Sequence, residues 1–331
     1  MNLKKFITIL AVLSLTSIFA PNALLAQDPN TSAEKIDLKL NLTEGATYST
    51  LMITDQKISQ TVQGRPVDVN QTMSMTIDSE VLSVEPDGTT TLTVTYRTMQ
   101  LKMDGPMGTI EYDSQNPVID SNDPQAAMMV AMYGAMLDQK ITMELTPKGK
   151  ILQIDGFDEM MENMMDKMAV DDPNMAQAMK DMMKNFISED KLMEMGQGMV
   201  STFPDWPVGI GDVWYDTISL GAGFPIDLDV TNILKDRKDG VAVIESIAKM
   251  DMGDPNSSLI EVEDMKMNLL LSGTQNATTE VDEATGWIIA ADTIQNFTGV
   301  IKIEPNPKMP EGMSMPMSIK GTVTVKSVQK L

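Results

Sequence analysis

Cysteine and histidine are both absent from this chain of 331 residues. Without histidine there is no side chain that ordinarily exchanges protons near neutral pH, and without cysteine there is neither a thiolate nucleophile nor a disulfide. Carboxylates, hydroxyls, lysines and thioethers are what remain for chemistry. Aromatic residues are scarce, at 5%, and positive charge is outnumbered, with 25 Lys and Arg against 47 Asp and Glu for a formal charge of −22. Such a balance makes nucleic acid and anionic membrane surfaces poor partners.

Catalytic motifs are missing as well. No nucleophile elbow, Walker loop, His-Glu-x-x-His or EF-hand loop occurs. Ser188 to Lys191 has the Ser-x-x-Lys spacing of penicillin-recognising enzymes but none of their partner motifs, and a helix cap accounts for Ser188. Asp216-Thr217 and Asp292-Thr293 are followed by isoleucine, where an aspartic protease has glycine. The chain therefore reads as a non-enzyme with no cofactor, and a carboxylate-based hydrolase is the least favoured alternative.

Long apolar runs are confined to the amino terminus. Lys4 and Lys5 precede the apolar stretch Phe6 to Ala20, the pattern of a secretory signal peptide over residues 1–26 with cleavage expected after Ala26. Export to the periplasm or beyond is the expectation. With no cysteine to acylate and no later apolar run of spanning length, the product should be soluble and not a lipoprotein.

What the sequence has in excess is methionine: 32 in all, 17 of them between Met128 and Met199. Before that block, alternation in Ile36 to Leu42, Met73 to Ile77 and Thr91 to Tyr96, with Asp87-Gly88 placed for a hairpin turn, predicts antiparallel strands. Asp123-Pro124 opens a short helix over residues 124–138, and Pro147-Lys148-Gly149 predicts another hairpin. Residues 157–202 have helical periodicity with methionine on one face. After Phe203-Pro204-Asp205-Trp206-Pro207 strand patterning resumes through residues 203–331.

The expected fold class is mainly β, or α+β: a first β-region over residues 27–156, a methionine-rich helical insertion over 157–202, and a second β-region. The two would be antiparallel meanders forming a half-barrel or packed curved sheets. Gly45 to Tyr48 and Gly211 to Trp214 are alike enough to suggest internal duplication.

Methionine is unbranched and polarizable, so its stripes suit repacking around varied apolar molecules. Met128, Met132, Met136, Met164, Met168, Met179 and Met183 are the candidate ligand-lining residues, for an apolar small molecule or a lipid. A different chemistry is open to the same atoms, because thioethers bind Cu(I) and Ag(I). Met160, Met164 and Met168, with Met313, Met315 and Met317, are the candidate metal ligands. An interaction scaffold is a further possibility. Acidic turns at Asp120 to Asp123 and Asp251 to Asp254 match no calcium-loop spacing.

Leu40 to Tyr48, the Val84 to Val94 hairpin, Tyr112-Asp113-Ser114 and above all Phe203 to Trp214 together make the chain resemble a family of exported bacterial proteins, of Bacteroidota-like origin, carried by a domain of unknown function. The resemblance implies a two-part, β-rich exported protein and brings no catalytic residues with it.

Overall fold

The computed structural model describes residues 34–62, 64–106, 108–116, 133–134, 136–156, 158–160, 162–163, 197, 203–219, 227–252, 259–262, 265–306 and 310–330. Among these residues thirteen strands follow in chain order: β1 (Thr47–Val62), β2 (Arg65–Val84), β3 (Thr90–Gly105), β4 (Gly108–Asp113), β5 (Lys140–Leu145), β6 (Ile151–Asp155), β7 (Val213–Ser219), β8 (Asp227–Lys238), β9 (Val241–Asp251), β10 (Leu259–Val262), β11 (Met265–Asp282), β12 (Ile288–Ile303) and β13 (Met313–Lys330).

All thirteen belong to one antiparallel sheet, ordered β6-β5-β3-β2-β1-β13-β12-β11-β9-β8-β7, with β4 on β3 and β10 on β11. Most pairings join strands adjacent in sequence; β3 with β5 and β9 with β11 skip one strand, and at one seam the first and last strands meet, β1 against β13 from Thr47 opposite Lys330 to Gln60 opposite Met317. The topology is that of an up-and-down barrel left open between β6 and β7. The two expected β-regions are thus halves of a single sheet joined by the first and last strands.

Turn chemistry agrees with the sequence. Gly88 N–H donates to Glu85 C=O in the β2–β3 hairpin, and Gly149 N–H donates to Thr146 C=O in the β5–β6 hairpin. Asp239 and Gly240, both at positive φ (54° and 80°), make the two-residue β8–β9 turn whose twist matches its strands.

Ile36 to Leu42 departs from the strand its alternation predicts. Leu38, Leu40 and Leu42 are buried and the residues between them exposed, but the segment's backbone bonds go to loops. Ile36 exchanges both bonds with Val208, Leu40 N–H donates to Pro147 C=O, and Asn41 N–H donates to Thr285 C=O. Phe203 N–H donates to Lys148 C=O, so the segment before β7 is tied to the β5–β6 hairpin. One end of the open seam is therefore bridged by two non-strand segments. An apolar cluster of Leu38, Leu40, Leu42, Leu145, Ile151, Phe203, Val208, Trp214 and Leu234 fills that end.

Helix is nearly absent among the described residues: Tyr133, Gly134 and Met136, residues 158–160 and 162–163, and Gln197 are helical. These positions fall inside the expected helices of 124–138 and 157–202, most of whose length lies outside the described residues, as does the expected signal peptide over 1–26.

Candidate functional site

Because strand residues alternate between faces and paired residues share a face, the register turns separate strand patterns into rows across the sheet. Met99 on β3 pairs with Met75 on β2, and Met75 with Met52 on β1. All three are buried, with Met73, Leu101 and Tyr112 beside them. Tyr133 belongs to the same cluster, and Met136 and Leu137 pack against it. The inner face of the sheet thus carries its own methionine patch, and Met136 is the ligand-lining candidate that the structure brings to it.

Met128, Met132, Met164, Met168, Met179 and Met183 lie outside the described residues. Of the metal candidates, Met313, Met315 and Met317 alternate along β13 on the inner face, opposite Ile303, Ile301 and Gly299. Met315 and Met317 are buried in a second apolar cluster with Leu269, Phe297 and Ile301, and Met313 packs against it. Met160 is buried too, its N–H donated to Gly156 C=O, but it is not part of that cluster. Among the described residues no three acidic side chains converge to hold a metal ion.

Between the apolar clusters runs a polar band that sequence reading missed. Gln71 pairs with Gln56, Gln56 with Gly321, Gly321 with Gln295, and Gln295 with Gln275, a row across five strands. Gln71 is 1% exposed, Gln56 4%, Gln295 1% and Gln275 0%, so these amides face the interior. Gln56 Nε2 donates to Gln295 Oε1 at 3.2 Å, reaching over β13. Gly321 makes this possible, since a Cβ there would lie 2.7 Å from Gln56 Cγ and 2.5 Å from the Asp55 carbonyl oxygen.

The next row toward the methionine patch contains Thr54 and Thr293, both buried and both paired with Val323. Gln56 Oε1, both amide atoms of Gln71, Gln60 Nε2 and the hydroxyls of Thr54 and Thr293 have no hydrogen-bond partner among the described residues. A buried amide or hydroxyl left so costs about 1–3 kcal/mol. Apolar side chains of similar volume would stabilise the sheet more, so packing alone does not explain these residues.

The outer face is of opposite character. Asn70, Lys57, Lys320 and Asn296 form an exposed row on the side opposite the glutamines. With Asp55, Thr72, Ile294 and Thr322, and with Gln56, Gln71, Gln295 and Gly321 of the band, they line a cleft of about 590 Å³. Its charges are largely engaged: Lys57 Nζ lies 2.6 Å from Asp68, and Thr72 Oγ1 donates to Asp55 at 2.6 Å. This exposed row is polar and charged where the outer face of a membrane-crossing barrel carries an apolar band. No helix among the described residues is long and apolar enough to cross one.

At the bridged end, the Tyr48 and Trp287 rings stack with centroids 4.3 Å apart, and Trp287 Nε1 donates to Ser327. Burial raises the Tyr48 hydroxyl pKa, so the phenol stays neutral. Trp214 is buried within β7, whereas Trp206 is about half exposed in the preceding loop.

A family model matches residues 87–288: DUF6263, a family of unknown function. No curated protein matches the chain. Among solved structures, lipovitellin is similar with a TM-score of 0.44 and 11% identity over 87% of this chain, which spans 25% of the lipovitellin chain. An outer membrane channel from Pseudomonas putida F1 is similar with a TM-score of 0.25 and 8% identity, covering 88% of this chain and 98% of its own. Likenesses this slight carry no weight for fold or function.

Proposed function

The chain belongs to the DUF6263 family, whose description assigns no activity, and we propose from its own inner face that it is an exported, non-enzymatic protein that binds an apolar small molecule or lipid. The observation that supports this reading is the Met99–Met75–Met52 row with Met73 and Met136 beside it. Flexible thioether side chains fill an interior yet repack around guests of different shape at small cost, as β-branched side chains would not.

Titration with N-phenyl-1-naphthylamine, a neutral apolar dye, tests the proposal. Saturable binding is expected, and replacing Met75 and Met99 by valine, which is shorter and stiffer, should weaken it roughly tenfold while the sheet still unfolds cooperatively. No saturable binding by the folded wild-type protein would sink the reading. Native mass spectra of protein from its exporting host would also distinguish a lipid adduct from a copper adduct. The Cu(I) alternative rests on Met313, Met315 and Met317 sharing one face of β13.

A further inference from the structure

We infer that the polar band on the inner face is the recognition element for the ligand's head, and that this head is uncharged and both donates and accepts hydrogen bonds, as an alcohol or amide does. The inference rests on the apolar-ligand reading and adds the chemical class.

Three observations carry it. The unpartnered atoms are clustered: Gln71 and Gln56 are direct cross-strand neighbours, Thr54 is two residues before Gln56 on β1, and Thr293 is two residues before Gln295 on β12. All four of Gln71, Gln56, Thr54 and Thr293 are more than nine-tenths buried. They sit between the methionine patch and the apolar cluster around Ile58, Phe297 and Ile319, where an apolar chain on either side of a polar head would meet matching surface.

The available atoms define the head. Gln71 offers a free donor in Nε2 and a free acceptor in Oε1, Gln56 offers the acceptor Oε1, and each threonine hydroxyl does both. An ammonium supplies only donors and an ionised carboxylate or phosphate only acceptors, so either leaves part of the set unmet. A charged head would also lack a counter-charge, because the band's buried members are amides and hydroxyls, and an unpaired buried charge is far costlier than an unpaired amide. A hydroxyl or amide satisfies both polarities without introducing charge.

Competition against bound N-phenyl-1-naphthylamine at about pH 8, where carboxylic acids are ionised, separates the possibilities using decan-1-ol, decanoate and decane. Decan-1-ol should displace the dye from the wild-type protein at a concentration at least about tenfold below the other two, the effect of one or two hydrogen bonds made in a dry site. Gln71→Leu should still bind the dye but lose the preference for the alcohol. Thr293→Val, nearly the same shape, provides a second variant should the first fail to fold, and should weaken the preference. Equal displacement by all three competitors, or an unchanged preference in the folded variants, overturns the inference while leaving apolar binding intact. Failure of the wild-type protein to bind the dye overturns both readings.

Discussion

Glycine at position 286 shows how little latitude some positions have. Its φ is +69°, in the left-handed region, and a Cβ would lie 2.0 Å from the Lys39 carbonyl oxygen and 2.9 Å from the Leu40 nitrogen. Those neighbours are backbone atoms of the segment that bridges the open seam, held by Leu40 to Pro147 and Asn41 to Thr285, so they cannot swing aside as a side chain tip could. Gly286→Ala therefore adds both backbone strain and a clash. We expect a loss of about 2–4 kcal/mol in urea unfolding, beyond the effect of an ordinary surface substitution. A loss below about 0.5 kcal/mol would show that the bridging segment does not press on this turn.

The bridging segment is itself an element held by polar clamps as well as by its leucines. Arg237 on β8 makes a two-point ion pair with Glu283, Nε to Oε1 at 2.7 Å and Nη2 to Oε2 at 3.0 Å, and also donates to the Glu34 carbonyl. Lys148 Nζ lies 2.6 Å from Asp37, and Lys35 Nζ lies 2.8 Å from Asp212. The Arg237–Glu283 pair is mostly withdrawn from solvent, whereas the lysine pairs are more exposed and contribute little each. Arg237→Ala leaves the Glu283 carboxylate without its partner. It should cost about 2–4 kcal/mol, with amide exchange accelerating first in residues 36–42. If exchange there is unchanged while global stability falls, Arg237 serves the β11–β12 turn and not the bridge.

Across the whole molecule, the seam where β1 meets β13 joins the two halves of the chain, and Asp78 sits beside it. Its carboxylate accepts from Ser49 on β1, Arg97 on β3 and Lys330 at the end of β13. Burial pushes its pKa up, but the hydrogen bonds from Lys330, Ser49 and Arg97 outweigh burial and hold it below the usual value of 3.8. A carboxylate depressed in the folded state contributes stability that is complete above its unfolded pKa and disappears as pH falls through the folded one. Asp37, held down first by Lys148, and Asp212, held down first by Lys35, act in the same direction. Acid unfolding should therefore steepen below about pH 4, and Asp78→Asn should lower stability at neutral pH while flattening that acid limb. Parallel profiles for variant and wild type would mean that Asp78 does not couple the halves.

Periodicity along the chain predicted most of the strands, though not the irregular course of Ile36 to Leu42, and the Asp87-Gly88 and Pro147-Gly149 turns, because these depend on neighbours a few positions apart. The burial of Leu38, Leu40 and Leu42 was legible, but that the backbone bonds of Ile36, Leu40 and Asn41 go to Val208, Pro147 and Thr285 was not, since each partner is more than a hundred residues distant. The candidate site was legible only as a residue type. The methionine patch joins Met52, Met75 and Met99, and the polar band joins Gln56, Gln71, Gln295 and Gln275, through cross-strand register. Register places residues from strands far apart in sequence in one row, and a slip of a single residue would turn every one of them to the other face, so the tertiary pairing alone decided which side chains share the interior.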